Sequence, residues 1–230
     1  MTKAARFPIL TALIMLAVSV PARNASSQTT RYSAYYYQKK SLFEILPNTP
    51  NEIIFLGDSI TDGGDWSELF NDNRMKNRGI SGDVTDGVLA RLSEVTESHP
   101  RQIFLLIGIN DLSKGRSVDY IVENIRIIAK KITQTCPDTD LYLQSLFPVN
   151  ADLGQFPDHT NKTDMIIAVN SKLEAVAELF GATYLDLFSA FADSDNKLDR
   201  TVTNDGLHLT GNGYLRWKSL LKKHLEPPGS

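Results

Sequence analysis

The sequence predicts an α/β domain built on a parallel sheet covered on both faces. Two observations carry this. Short apolar runs, Ile53-Ile54-Phe55-Leu56, Ile103 to Ile107, Leu141-Tyr142-Leu143 and Thr183-Tyr184-Leu185, with a weaker one from Met75 to Arg78, are rich in β-branched and aromatic residues. They are continuous rather than alternating, as strands buried on both faces are. Between them lie stretches with helical spacing, and strand–helix alternation implies crossover connections between parallel strands.

Taken in order, the chain opens on Lys3 and Arg6, then an apolar run from Phe7 to Val20 broken by Pro8, Thr11 and Ser19, then the small-residue site Val20-Pro21-Ala22. Basic, apolar, small is the order of a secretory signal, so residues 1–22 are expected to be cleaved and the protein to be secreted or periplasmic. The apolar run is short for a membrane span. No cysteine stands near the cleavage point, so a lipid anchor is not expected. Residues 23–50 comprise a polar leader and an aromatic, helix-compatible stretch from Tyr32 to Leu46, which Pro47 and Pro50 end; the main domain is expected over 51–230.

Within that domain, Val88, Leu92 and Val95 share a helical face. So do Val118, Ile121, Val122, Ile125, Ile128 and Ile132. Ile166, Val169, Leu173, Val176 and Phe180 form a third stripe, with Gly181 as its stop. Tyr214, Trp217, Leu221 and Leu225 form a last one behind Thr210 as a cap.

The 230 residues carry 24 Lys+Arg against 27 Asp+Glu, a net charge of -3, and 42% are hydrophobic. That composition belongs to a globular chain. It lacks the basic stripe of a nucleic-acid binder; the densest basic patch away from the C-terminus, Arg74–Lys76–Arg78, is small. A single cysteine, Cys136, cannot form an intrachain disulfide. The four histidines, His99, His159, His208 and His224, show no metal-ligand spacing, so neither a metal nor a cofactor is expected.

In a parallel sheet, ligands bind beyond the carboxyl ends of the strands, so the residues just after each strand carry the chemistry. Gly57-Asp58-Ser59-Ile60-Thr61 follows the first strand, and Ser59 there is either an exposed nucleophile or a capping residue in a Gly-Asp turn. Gly79 follows the weak second strand and offers a close-approach backbone N–H, or simply a turn. Asn110, in Gly108-Ile109-Asn110-Asp111, is an amide donor or a helix cap. In Asp205-Gly206-Leu207-His208, a carboxylate three residues before an imidazole can hold its Nδ1–H and leave Nε2 as a base, or the pair is a surface histidine near a turn aspartate. Singly each is weak. Together they supply a nucleophile (Ser59), a base (His208), an orienting acid (Asp205) and oxyanion donors (the N–H groups of Ser59 and Gly79, and the Asn110 side chain). Ser81 is a rival nucleophile. Asp58 and Asp111, beside these positions, are expected to hold backbone rather than to act.

Those four blocks, in that order, resemble the signature blocks of the SGNH, or GDSL-type, serine hydrolases over nearly the whole length from Glu52 to the last helix. The stretch Asn77 to Thr85 and Gly63-Gly64-Asp65-Trp66 are most similar to the branch of platelet-activating-factor acetylhydrolase and carbohydrate O-acetyl esterases. The resemblance implies a flavodoxin-like three-layer αβα sandwich with five parallel strands, a metal-free esterase, a Ser59–His208–Asp205 triad, and an oxyanion hole of Ser59, Gly79 and Asn110. No long apolar insertion provides a lid, which favours a short acyl group such as acetyl. Trp66, close behind the nucleophile, is a candidate to stack on a sugar or to wall the acyl pocket, or else a core residue. The competing expectations are a lysophospholipase or thioesterase of the same family and a catalytically inactive glycan-binding module. The expected partner is a small-molecule or glycan ester, with neither nucleic acid nor a lasting membrane anchor; the oligomeric state is left open.

Overall fold

Five short strands form the centre of the protein, the inner three, which begin at Ile53, Gln102 and Asp140, buried along most of their length. In the computed structural model, residues 31–225, together with Met1, are described. The expected signal peptide and most of the polar leader lie outside them. From Tyr32 onward the chain forms one compact unit.

The chain enters through α1 (Ala34–Phe43), capped by Ser33. It then passes β1 (Ile53–Gly57), the one-turn helix α2 (Ser59–Asp62), α3 (Trp66–Phe70) and β2 (Met75–Gly79). After α4 (Thr85–Thr96) come β3 (Gln102–Leu106), α5 (Ile109–Ser113), α6 (Val118–Thr135) and β4 (Asp140–Gln144). A 3₁₀ turn at Ala151–Leu153 leads to α7 (Pro157–Thr160), α8 (Thr163–Leu179), β5 (Thr183–Leu185), α9 (Leu187–Phe191) and α10 (Gly211–Leu221). All five strands pair in parallel, in the order β2-β1-β3-β4-β5. This is the flavodoxin-like order, whose switch point falls between β1 and β3.

Alternate residues of a strand face opposite sides. On one side Phe55, Phe104 and Tyr142 are in register across β1, β3 and β4 and stack ring on ring at 5.3 and 4.4 Å. Trp66 of α3 lies flat on Phe55 at 3.9 Å, and Trp217 of α10 meets Trp66 edge-on. The other side carries Ile54, Leu56, Ile103, Leu105, Leu141 and Leu143, all buried. The amphipathic helices α4, α6 and α8 pack in series. Gly181 ends α8 in the left-handed conformation, φ +63°, where a side chain would be strained.

The aromatic N-terminal stretch packs on the domain itself. Tyr36 is buried and its hydroxyl donates to the Gly87 carbonyl at 2.8 Å; Tyr35 donates to Asp62 at 2.8 Å, and Lys39 pairs with Asp62 at 2.9 Å. Phe43 covers the guanidinium groups of Arg78 and Arg91. Arg78 is therefore not part of a surface patch. It is buried with Arg91, Asp83 and Glu94 in one charged cluster under α1 and α4. Arg91 also donates to the carbonyls of Gly57 and Arg78, tying β1 to β2 just before the two site loops.

Candidate active site

Ser59 opens α2, immediately after β1. Asp58 caps that helix: its Oδ1 accepts the Ile60 N–H at 3.1 Å. Gly57 permits the sharp exit, since a Cβ there would lie 2.3 Å from the Leu106 carbonyl oxygen. Ser59 Oγ lies 3.1 Å from His208 Nε2, across 149 residues of sequence. His208 Nδ1 lies 2.8 Å from Asp205 Oδ2. The other Asp205 oxygen accepts the backbone N–H groups of Leu207 and His208, each at 2.8 Å.

The Asp205–His208 turn thus builds its own geometry. Gly206 makes it possible, with φ +85° and a Cα so close to Asn150 that a Cβ would sit 2.1 Å from its carbonyl oxygen. Burial acts to raise the Asp205 carboxyl, but the two N–H groups and His208 outweigh it and hold the group below the ordinary carboxylate range. Asp205 is charged, and it orients the ring with Nε2 toward Ser59.

On the β3 side, Gly108 turns the chain at φ +137° and delivers Asn110 into α5. Asn110 is buried; its Nδ2 donates to the Asp83 carbonyl at 2.9 Å, on the loop that follows β2. Among the described residues the other Nδ2 hydrogen has no acceptor. Asp111 accepts from the backbone N–H and hydroxyl of Thr85 and from Arg116, fastening the β3 loop to α4.

Two expectations need correction. The Gly79 N–H does not serve the site: it donates to Asn77 Oδ1 at 2.7 Å. Asn77 itself donates to carbonyls of the α2–α3 turn. Gly79 is needed for packing instead, because a Cβ there would lie 2.2 Å from the Asp62 backbone nitrogen. Three residues on, Gly82 has φ +78° and open space around its Cα, and it directly precedes the Asp83 carbonyl that holds Asn110. Trp66 is the second correction. It is 1% exposed, its indole donates to the Thr61 carbonyl at 3.0 Å, and it lies against Phe55 in the core, so it is not a substrate platform.

The sequence reading missed two residues altogether. Phe156 and His159, on the segment between β4 and α8, both reach the site. The Phe156 ring meets His208 edge-on at 5.2 Å, and His159 Nε2 lies 3.0 Å from Asn110 Oδ1. Their segment has no periodicity and belongs to none of the four blocks. The one available signal was a histidine beside a Phe-Pro pair in a polar stretch. Ser81 is exposed, and His208, the ring held by Asp205, bonds to Ser59 instead. A groove of about 840 Å³ lies between α3 and the start of α10, lined by Asp65, Glu68, Leu69, Asn212, Tyr214 and Leu215, and none of Ser59, His208, Asp205 and Asn110 lines it.

Such an arrangement can attack a carbonyl with Ser59 Oγ, take its proton on His208 Nε2, and stabilise the imidazolium with Asp205. Comparison with known proteins agrees in class. The sequence model of the GDSL-like lipase/acylhydrolase family matches residues 55–216. The human platelet-activating factor acetylhydrolase IB subunit alpha1 is 27% identical over 168 residues, covering 71% of this chain and 70% of its own length. A GDSL-like lipase of Bacteroides thetaiotaomicron superposes with a TM-score of 0.72 at 24% identity, over 82% of this chain and 96% of that one. The acetylxylan esterase Axe2 of Geobacillus stearothermophilus superposes with a TM-score of 0.61 at 19% identity, over 77% of this chain and 94% of that one.

Proposed function

This chain belongs to the GDSL-like lipase/acylhydrolase family and is a carboxylic ester hydrolase, and from that premise we propose that it is an exported serine esterase that removes short acyl groups, acetyl first, from carbohydrate esters through a Ser59–His208–Asp205 triad. The observation that carries the reading is the relay from Ser59 Oγ to His208 Nε2 at 3.1 Å and from His208 Nδ1 to Asp205 at 2.8 Å. Ser59 attacks the ester carbon as His208 takes its proton. The tetrahedral oxyanion is held by the N–H groups of Ser59 and Gly82 and by Asn110 Nδ2. His208 then protonates the leaving alcohol, and water releases the acid by the same steps. Gly82 takes the place expected of Gly79: it follows the same strand, its N–H is not bound by Asn77, and it adjoins the carbonyl on which Asn110 rests.

Acetyl preference is supported by two similarities: to an acetylhydrolase in sequence and to an acetylxylan esterase in fold. The Lys3-to-Ala22 pattern supports export.

Two measurements test this. A fluorophosphonate probe should label the wild type and not Ser59→Ala, and kcat/KM on p-nitrophenyl acetate should fall by about 10⁴ or more in Ser59→Ala. Acetate release from acetylated xylan fragments and acetylated sialic acids should exceed release of longer acids. A preference for octanoate over acetate esters would point instead to a lysophospholipase or thioesterase, and wild type that takes up no probe would point to a binding module.

A further inference from the structure

His159 belongs to no part of the triad, yet it contacts the side chain read above as an oxyanion donor. The contact fixes more than a distance. Asn110 Nδ2 faces the Asp83 carbonyl, which can only accept, so that end of the amide is the nitrogen and the oxygen faces His159. Amide oxygen also only accepts. The proton of the His159 ring therefore sits on Nε2, and the 3.0 Å contact is a donated hydrogen bond. The amide of Asn110 is held at both ends, which leaves one Nδ2 hydrogen pointing in one direction.

The segment that brings His159 there is fastened for the purpose. Phe156 stands at φ +50°, a left-handed conformation unfavourable for an aromatic residue, immediately before Pro157. The His159 N–H, the Thr160 N–H and the Thr160 hydroxyl all bond to the Phe156 carbonyl. The Phe156 ring meets both imidazoles edge-on, at 6.1 Å from His159 and 5.2 Å from His208. Burial first, then the charge of His208, Lys114 and Lys162, pull His159 below its ordinary value, while Asp158 opposes them. A neutral ring keeps a second positive charge away from His208 as it takes up the serine proton, and Nε2–H survives in either protonation state.

We infer that His159 is a positioning residue of the oxyanion hole: its Nε2–H fixes the Asn110 amide and, by bonding to the amide oxygen, makes the remaining Nδ2–H a stronger donor. This rests on the reading of Asn110 as an oxyanion donor. Steady-state kinetics on p-nitrophenyl acetate, with inhibition by a phenylboronic acid that forms a tetrahedral adduct, test it in His159→Leu, His159→Gln, Asn110→Ala and the double variant Asn110→Ala/His159→Leu. Loss of a whole oxyanion donor costs about 10²–10³ in kcat, and mispositioning one should cost about tenfold. His159→Leu should therefore lose about tenfold in kcat and in boronate affinity, with KM nearly unchanged. His159→Gln carries an N–H at similar reach and should recover most of both. The double variant should be no slower than Asn110→Ala. Unchanged kcat in His159→Leu, retained boronate affinity beside a slower kcat, failure of Gln to rescue, or losses that multiply in the double variant would overturn the inference alone. Full activity in Asn110→Ala would overturn the oxyanion reading and the inference with it.

Discussion

Asp58 shows how far a single group can be displaced by its surroundings. It is fully buried beside the nucleophile, and burial pushes its carboxyl up to about 7, with Asp83 and Asp111 adding to the rise and the Ile60 N–H opposing it. Between the unfolded value near 3.9 and about 7, the folded protein holds a proton that the unfolded chain has released. Stability contributed by this group is thus present at low pH and lost as pH rises through that window, at up to ~1.4 kcal/mol per unit. Asp58→Asn keeps the capping oxygen and removes the titration. Its urea midpoint relative to wild type should rise from pH 4 to pH 7 and then level off; a constant difference would sink the assignment. The glycines make a second residue-scale pair. Gly79→Ala drives a methyl into the α2 backbone and should cost about 3 kcal/mol. Gly82→Ala meets open space and only backbone strain, about 1 kcal/mol, and should instead lower kcat. Urea midpoints and turnover together separate the two roles. The sequence displayed both glycines, but a letter carries no N–H direction. Which one faces the site depends on the Asn77 side chain, which lies two residues before Gly79 and claims its N–H.

Among the elements, four of the strands and the helices α4, α6, α8 and α10 could be read directly, because each leaves an apolar run or a helical period; β2, in which Met75 is the single apolar side chain, left only a weak trace. The helices α2, α3, α5, α7 and α9 span four or five residues each. Nothing periodic can appear in one turn, and these turns carry Ser59, Trp66, Asn110 and His159. The site was legible through its chemistry and its place after the strands, while the supporting turns were not. The aromatic helix α1 was visible as a helix, but its contacts depend on where α4 lies. Its role is now specific. Phe43 closes the Arg78–Glu94–Arg91–Asp83 cluster from water, and truncating it should be costly. Phe43→Ala is expected to lose about 3–4 kcal/mol in chemical denaturation. Tyr36→Phe, which gives up only the bond to the Gly87 carbonyl, should lose about 1 kcal/mol.

At the scale of the whole molecule, the strand order places the exits of β1 and β3 side by side at the switch point, with β2 beside β1. The fold was readable because continuous apolar strands alternating with amphipathic helices allow few other arrangements. The lone thiol reports on its integrity. Cys136 is 2% exposed against the Thr96 carbonyl, and burial raises its pKa. An aromatic disulfide reagent should leave it untouched in buffer and react in step with the loss of ellipticity in urea. Fast labelling of active protein would show that the β3–β4 side opens by itself. The Asp205–His208 turn, finally, is completed within four residues, and it is joined to α10, whose Trp217 is buried in the core. Between it and the preceding sheet runs the exposed stretch Asp193-Ser194-Asp195-Asn196. A cut between Asp195 and Asn196 leaves the attacking hydroxyl on one polypeptide and both proton-handling groups on another. Neither fragment could turn over an ester alone, so any colour released on mixing them would measure their reassembly, which makes this chain a natural candidate for a two-part reporter.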